Sequence, residues 1–142
     1  MESPARRVET RIGNRLEELE KIVHLVDQFC AAHGIPGPIV NDLNLVLDEV
    51  LNNIVSHGYP GTAAGSIWIR LDHEPGRVPA EIEDDGSAFE PLPPSPLDRS
   101  VPPRERPIGG AGLRFIHGLM DEVAYARIGG HNRLRLTKRV PL

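Results

Sequence analysis

Apolar and polar residues along the chain follow two different periods, which divide it into predicted strands and helices. Alternation from Arg7 to Ile12 predicts a first strand; apolar residues at helical spacing then predict a helix that Asn14 can cap and Gly34 ends. After the break "IPGP", a second helix is predicted from about Ile39 to His57, followed by the turn sequence "GYPG". The N-terminal part is therefore expected to be a strand followed by two helices.

The later periodic segments predict two hairpins with a helix between them. "SIWIRLDH" and "RVPAEIEDD" alternate on either side of Glu74–Gly76, and "DEVAYARIGG" and "HNRLRLTKRV" pair around Gly129 and Gly130. "AGLRFIHGLM" predicts a third helix, entered from a glycine turn. This order predicts an α+β fold, a two-layer α/β sandwich whose mixed, mostly antiparallel sheet carries its helices on one face.

Residues 86–110 interrupt the pattern. They hold seven of the fourteen prolines and show almost no periodicity. So long an irregular segment inside a small domain is typical of a lid or binding loop, or else of disorder. We expect one domain over residues 1–142 with this segment as a lid.

Composition and charge narrow the class of protein. The chain has 142 residues, 39% of them hydrophobic and 25% charged, with a formal net charge of −4. These values are typical of one soluble domain and argue against nucleic acid as a direct partner. The single cysteine, Cys30, leaves no disulfide within the chain. Without a leader sequence or a long apolar run, a cytoplasmic protein with no membrane segment is expected.

The second predicted helix carries polar residues beside its apolar face. Glu49, Asn53 and His57 are spaced i, i+4, i+8 and form one track next to that face, while Asp48 and Asn52 lie on the other flank. An amide oxygen can ligate Mg²⁺, and a carboxylate can orient or deprotonate a nucleophile. On this helix alone, a solvated polar flank is the favoured interpretation.

Two glycine-containing segments add candidate chemistry. Asp84, Asp85 and Gly86 follow a predicted strand; they form a plain turn or a site where an aspartate accepts a hydrogen bond from an exocyclic amine and glycine lets the backbone approach a flat ring. "GGAGLRFI" opens a helix with glycines, and the N–H groups there favour phosphate. This second segment is neither a P-loop nor a Rossmann fingerprint.

The combination of these motifs is more specific than any one of them. The segments "LDEVLNNIVSHGYPG", "EDDGSAFEP" and "GGAGLRFIHGLMDEVAY", in this order and with a long lid, resemble the Bergerat-fold (GHKL) ATP-binding superfamily. Within it, the chain most resembles the anti-sigma factor serine/threonine kinases of bacterial partner-switching systems, the RsbW- and SpoIIAB-like proteins. The resemblance extends from the first strand to "LTKRV".

The resemblance implies ATP and Mg²⁺ as cofactors and assigns roles around the adenine and the metal. Glu49 would be the general base and Asn53 the Mg²⁺ ligand. Asp84 would hold the adenine amine, with Gly86 flanking the ring. Thr137, in the last strand, would support the adenine through water.

The phosphate end of the site would lie in the glycine-rich segment and the lid. Gly110, Gly112 and Leu113 would border the phosphates, and Arg104 and Arg106 are solvated loop residues or neutralise triphosphate charge. The chain has Ala88 where many superfamily members have a second glycine, and its lid is richer in proline than in glycine, which would stiffen it.

The implied function is phosphorylation of a serine or threonine on a STAS-domain anti-anti-sigma protein, with competitive binding of a sigma factor. A homodimer that uses the first strand and helix is expected on the same ground. Two alternatives stay open: a non-catalytic ATP-binding module that switches partners, and a detached catalytic domain of the histidine kinase type. The sequence shows no phosphoacceptor helix before the first strand, which makes the second alternative the weaker one.

Overall fold

The computed structural model of the chain describes residues 5–59, 64–87 and 116–141. The described strands and helices are, in chain order, β1 (Arg7–Gly13), α1 (Leu19–Ala32), α2 (Gly37–His57), β2 (Ser66–Asp72), β3 (Arg77–Asp84), β4 (Glu122–Ile128) and β5 (His131–Arg139). A 3₁₀ turn (Leu16–Glu18) precedes α1, and residues 116–119 are helical. Every predicted strand and both predicted N-terminal helices are therefore present.

The five described strands form one sheet in the order β1-β2-β3-β5-β4. All four pairings are antiparallel, so the sheet expected to be mixed is antiparallel throughout the described residues. In the β3–β5 pair, Asp84 lies opposite Asn132 and Pro79 opposite Thr137. This register decides which side chains of the two strands meet at the end where β3 stops.

One face of the sheet packs on the helices. Alternate residues of β2 are fully buried, as the period of a half-covered strand requires, and they share one core with the apolar faces of α1 and α2. The central members of this core are Val26, Leu43, Val46, Leu47, Leu51, Ile67, Ile69, Leu71, Ile82 and Leu136. The predicted two-layer α+β fold is confirmed.

The other face of the sheet is charged. Arg70 bridges Glu9 and Glu81 across the strands, at 3.0 and 3.3 Å between nitrogen and carboxylate oxygen. The rings of Trp68 and His131 stack with their centroids 5.4 Å apart on the same face. Partly exposed ion pairs of this kind each contribute little to the stability of the fold. The polar residues of this face therefore keep it in contact with solvent and add little packing energy.

The ends of the helices differ from the sequence prediction in one respect. Asn14 was expected to cap the first helix, but its side-chain oxygen accepts a hydrogen bond from the backbone N–H of Gly65, at 3.0 Å. Helix α1 therefore begins later, after the 3₁₀ turn, and has no side-chain cap. Helix α2 begins at Gly37, because a proline fits the first helical turn, where backbone N–H groups have no helical partner.

Within the described segments, none of the helices combines the length and the apolar character that crossing a membrane requires.

Candidate functional site

Helix α2 places Glu49 and Asn53 side by side near its C-terminal end. Both side chains are half-buried, and Nδ2 of Asn53 donates a hydrogen bond to Oε1 of Glu49 at 3.2 Å. Asn52 lies on the other flank, where its Nδ2 donates to the backbone carbonyl of Asp48 at 2.7 Å. The helical period therefore separates two adjacent asparagines, and only Asn53 stands beside the carboxylate.

This pair offers two further oxygens. The amide of Asn53 uses its nitrogen towards Glu49, which leaves Oδ1 as an acceptor, and Glu49 keeps its second oxygen. Over residues 5–59, 64–87 and 116–141, no group of three or more His, Cys, Asp and Glu side chains could hold a metal ion. A hard cation here would take Asn53 as its protein ligand among the described residues, with phosphate and water oxygens completing its coordination.

A tight corner joins the end of α2 to the end of β3. The carbonyl oxygen of Gly58 accepts a hydrogen bond from the backbone N–H of Ser87 at 2.7 Å and from its hydroxyl at 3.0 Å. A Cβ on Gly86 would lie 2.5 Å from that carbonyl oxygen, closer than any side chain tolerates. Glycine at position 86 is therefore what allows the two backbones to approach.

Asp84 is the buried acid of this corner, with a relative exposure of 3%. Its Oδ1 accepts hydrogen bonds from the N–H of Gly86 and from Nδ2 of Asn132, each at 2.9 Å. Burial raises the pKa of Asp84 above its usual range, and these two hydrogen bonds act in the opposite direction. No described residue donates to its Oδ2, so a buried acceptor is left for an incoming donor such as an exocyclic amine.

Asp85 differs from its neighbour in both exposure and partners. Its Oδ1 lies 2.6 Å from the hydroxyl of Tyr59 and 3.0 Å from the backbone N–H of Ser66. Desolvation raises the pKa of Asp85, but these hydrogen bonds lower it further and hold it below its usual range. Asp85 therefore connects the chain after α2 to the start of β2 through hydrogen bonds. Of the two aspartates, Asp84 is the candidate for binding a ligand.

Asn132 is the polar residue that sequence reasoning missed. Its exposure is 4%, and its Nδ2 donates both to Asp84 and to the carbonyl of Ser87, the latter at 2.8 Å. Its side-chain oxygen accepts from the hydroxyl of Tyr125 and from Arg127. The signal was the hairpin register: once β3 pairs with the last strand, the second residue of that strand lies opposite Asp84.

Thr137 does not join this group. It lies opposite Pro79, five residues along β5 from Asn132 and so about 17 Å from the end of the strand where Asp84 stands. By alternation it shares the sheet face of Arg133 and Arg135, opposite to that of Asp84. Thr137 was expected to support a base bound at Asp84, but the register separates the two residues, and the residue of β5 that contacts Asp84 is Asn132.

Several predicted positions lie outside the described residues. These are Ala88, Arg104, Arg106, Gly110, Gly112 and Leu113, together with all of the expected lid except residues 86 and 87. His57 is the last residue of α2. The described part of the site therefore consists of the Glu49–Asn53 pair and the corner around Asp84.

Comparison with known proteins gives consistent relatives. The model of the histidine kinase-like ATPase domain family matches residues 12–138. The chain is similar to the serine/threonine-protein kinase BtrW of Bordetella bronchiseptica, with 39% identity over 67% of each chain. It is also similar to the anti-sigma F factors of Bacillus thuringiensis and Bacillus cereus, with 31% identity over 59% of this chain and 58% of theirs.

Among solved structures, the fold matches that of the RsbU and RsbW domains of a Mycobacterium tuberculosis protein. The TM-score is 0.71 at 18% identity, and the match covers 96% of this chain and 32% of the other. The alignments thus span less than two thirds of the anti-sigma F factors and about a third of the mycobacterial chain. At this identity the structural likeness establishes the fold.

Proposed function

The chain belongs to the histidine kinase-like ATPase domain family, and on that basis we propose that it is a serine/threonine protein kinase that uses Mg·ATP and acts as an anti-sigma factor. Its relatives include a protein named as a serine/threonine kinase and several named as anti-sigma F factors. The substrate would be a serine or threonine hydroxyl of a STAS-domain anti-anti-sigma protein.

One juxtaposition carries this proposal. The hydrogen bonds from Ser87 to the Gly58 carbonyl hold the end of α2 against the end of β3. An acid–amide pair and a buried carboxylate, one oxygen of which accepts from no described residue, therefore belong to one edge of the domain. Binding a purine base at one end and a metal-bound triphosphate at the other requires both groups on one edge.

The described residues suit separate parts of the nucleotide. Asp84 would accept a hydrogen bond from the exocyclic amine of adenine. Gly86, which has no side chain, would lie beside the ring. Asn53 would supply an oxygen to Mg²⁺, which on binding neutralises triphosphate charge. Gly110, Gly112 and Leu113 are proposed to border the phosphates, by family resemblance.

In the transfer step, the oxygen of the acceptor hydroxyl forms a bond to the γ-phosphorus while the bond from that phosphorus to the bridging oxygen of ADP breaks. Glu49 accepts the proton that the hydroxyl loses. Its hydrogen bond from Asn53 engages one carboxylate oxygen and leaves the other for this proton. Positioning and charge neutralisation supply most of the rate enhancement in reactions of this kind.

The proposed partners follow from the same family. A sigma factor and the unphosphorylated STAS protein would compete for the domain, which would act as a homodimer in the cytoplasm, without direct contact to nucleic acid. Phosphorylation of the STAS protein would release it and leave the kinase free to hold the sigma factor.

The proposal is tested with the full chain, labelled ATP and a co-encoded STAS protein. We expect label on the STAS protein with the wild type, a loss of at least about 100-fold with Glu49→Gln, and unchanged ATP affinity in that variant. Asp48→Asn, an exposed carboxylate on the other flank of the same helix, is the matched control and should transfer label normally. Wild-type protein that binds ATP without labelling the STAS protein would overturn the kinase and favour the non-catalytic module.

A further inference from the structure

Asn132 stands between the buried carboxylate of Asp84 and three other polar groups. We infer that it is a positioning residue that fixes the orientation of the Asp84 carboxylate, so that one oxygen faces the nucleobase, and that it thereby sets the preference for a purine with a 6-amino group. This inference rests on the proposed ATP site and goes beyond it, because Asn132 acts through Asp84 and the base contacts Asp84.

Both hydrogens of the Asn132 amide nitrogen are committed. One is donated to Oδ1 of Asp84 at 2.9 Å, and the other to the carbonyl oxygen of Ser87 at 2.8 Å. An amide nitrogen has two donors, so none is left for a base. Asn132 therefore holds Asp84 and the segment after it in one fixed relation.

The amide oxygen of Asn132 fixes the orientation of the whole group. It accepts from the hydroxyl of Tyr125 and from Nη1 of Arg127, the latter at 3.1 Å. A flipped amide would turn its NH₂ towards the guanidinium and its oxygen towards the carboxylate of Asp84 and the carbonyl of Ser87. The contacts to Arg127, to Asp84 and to the carbonyl of Ser87 would then be repulsive, so the network itself decides the orientation.

Arg127, on the edge strand β4, contacts both Asn132 and the backbone of Gly86. The same Nη1 atom donates to the carbonyl oxygen of Gly86 at 2.9 Å. Gly86 in turn donates its N–H to Oδ1 of Asp84. The backbone at 86 is thus held from both sides, and a rotation of the Asp84 carboxylate would break its hydrogen bonds to Gly86 and Asn132 together.

These contacts have a consequence for base recognition. Oδ1 of Asp84 is occupied by two donors, while Oδ2 has none among the described residues. A fixed acceptor in a buried site distinguishes a ligand that carries a matching donor from one that lacks it. Loss of Asn132 would leave the carboxylate held by Gly86 as its one remaining donor among the described residues, and the 6-amino group would face a less well fixed partner.

The test compares the affinities of ATP and of purine riboside triphosphate, which lacks the 6-amino group. We expect the wild type to favour ATP by about 10- to 100-fold. Asn132→Leu should reduce this ratio to about threefold or less, chiefly by weakening ATP. Tyr125→Phe removes only a hydroxyl and should lower the ratio by a smaller factor, which gives a reading if the leucine variant does not fold.

Arg135→Gln is the matched control, because it lies on the same strand and faces the other side of the sheet. It should keep the wild-type ratio. Equal weakening of both nucleotides by Asn132→Leu, with the ratio unchanged, would show a merely structural role and overturn the inference. This measurement does not include phosphoryl transfer. If the chain binds ATP but transfers no phosphoryl group, the kinase proposal fails and the inference about Asn132 stands. A wild-type chain that binds neither nucleotide overturns both.

Discussion

The side-chain amide of Asn53 donates to the carboxylate of Glu49 one helical turn earlier, at 3.2 Å. The amide oxygen of Asn53 is therefore the group that we propose binds Mg²⁺, whereas that of Asn52 lies on the other flank of α2. We expect Asn53→Ala to weaken Mg²⁺-dependent ATP binding by at least about tenfold. Loss of a residue that only supports a metal ligand already weakens metal binding by about this factor, and Asn53 is proposed as a ligand itself. Asn52→Ala should bind as the wild type does.

Calorimetric titration with ATP, in the presence and absence of Mg²⁺, measures this directly. The Asn53 variant should lose the difference between the two conditions. An equal loss in both variants would place the metal elsewhere.

Replacement of Asp84 by asparagine is expected to change the base preference. The new amide oxygen would accept from Gly86 and Asn132 as Oδ1 does, which turns the NH₂ into the position of Oδ2. A donor there opposes a 6-amino group and suits a 6-oxo group. The ratio of ATP to ITP affinity should fall by about 100-fold in Asp84→Asn.

Competition binding with ATP and ITP measures that ratio. The fold should survive, because a buried neutral amide costs less than a buried carboxylate whose pKa is already raised by burial. An unchanged preference for ATP would remove Asp84 from base recognition.

Gly86 is expected to tolerate no side chain. Gly86→Ala would bring its Cβ within 2.5 Å of the Gly58 carbonyl oxygen, so the corner between α2 and β3 must open. We expect a loss of about 1–3 kcal/mol in the free energy of unfolding, together with weaker ATP binding. Gly118→Ala is the control, since among the described residues no atom outside its own helical turn lies within 4 Å of its Cβ position. Equal stability of the two variants in chemical denaturation would contradict this account of the corner.

The contact between Tyr59 and Asp85 predicts a dependence of stability on pH. Because the pKa of Asp85 is lowered on folding, the native state binds fewer protons than the unfolded chain just below the usual aspartate pKa of about 3.9. The contribution of this carboxylate is therefore present above that pH and is lost as the pH falls further.

Tyr59→Phe tests the dependence. At pH 7 we expect it to lower the free energy of unfolding by about 1 kcal/mol, the usual effect of one hydrogen bond. The difference from the wild type should shrink as the pH falls below the usual aspartate pKa of about 3.9, because the unfolded chain then binds a proton before the native Asp85 does. Urea unfolding between pH 3 and 7 gives the profile. A difference that stays constant over this range would assign the effect to packing of the ring alone.

The sequence predicted the strands and helices of the fold because each has an unambiguous hydrophobic period. It also predicted that Glu49 and Asn53 share one side of α2, since a helix fixes neighbours four residues apart. Asn14 was misjudged as a cap because its partner, Gly65, is distant in sequence and becomes a neighbour only when β1 and β2 pair.

The choice between Thr137 and Asn132 shows the same limit within one strand. Alternation along β5 reveals which residues share a face, but the residue beside Asp84 depends on how β5 registers with β3. Sequence resemblance favoured a threonine. The paired strands place an asparagine there, whose amide can hold two groups where a hydroxyl donates to one.

Trp68 gives the domain an optical property that follows from the two-sided sheet. It is the chain's only tryptophan, and its ring stacks on His131 and lies 5.9 Å from the guanidinium carbon of Arg11. Its neighbour across the strands is Glu83, on the charged face, whereas Asp84 is buried on the opposite face. Intrinsic fluorescence will therefore respond to any molecule that covers the charged face. The natural fluorophore reports on the back of the sheet, and nucleotide binding needs a reporter of its own.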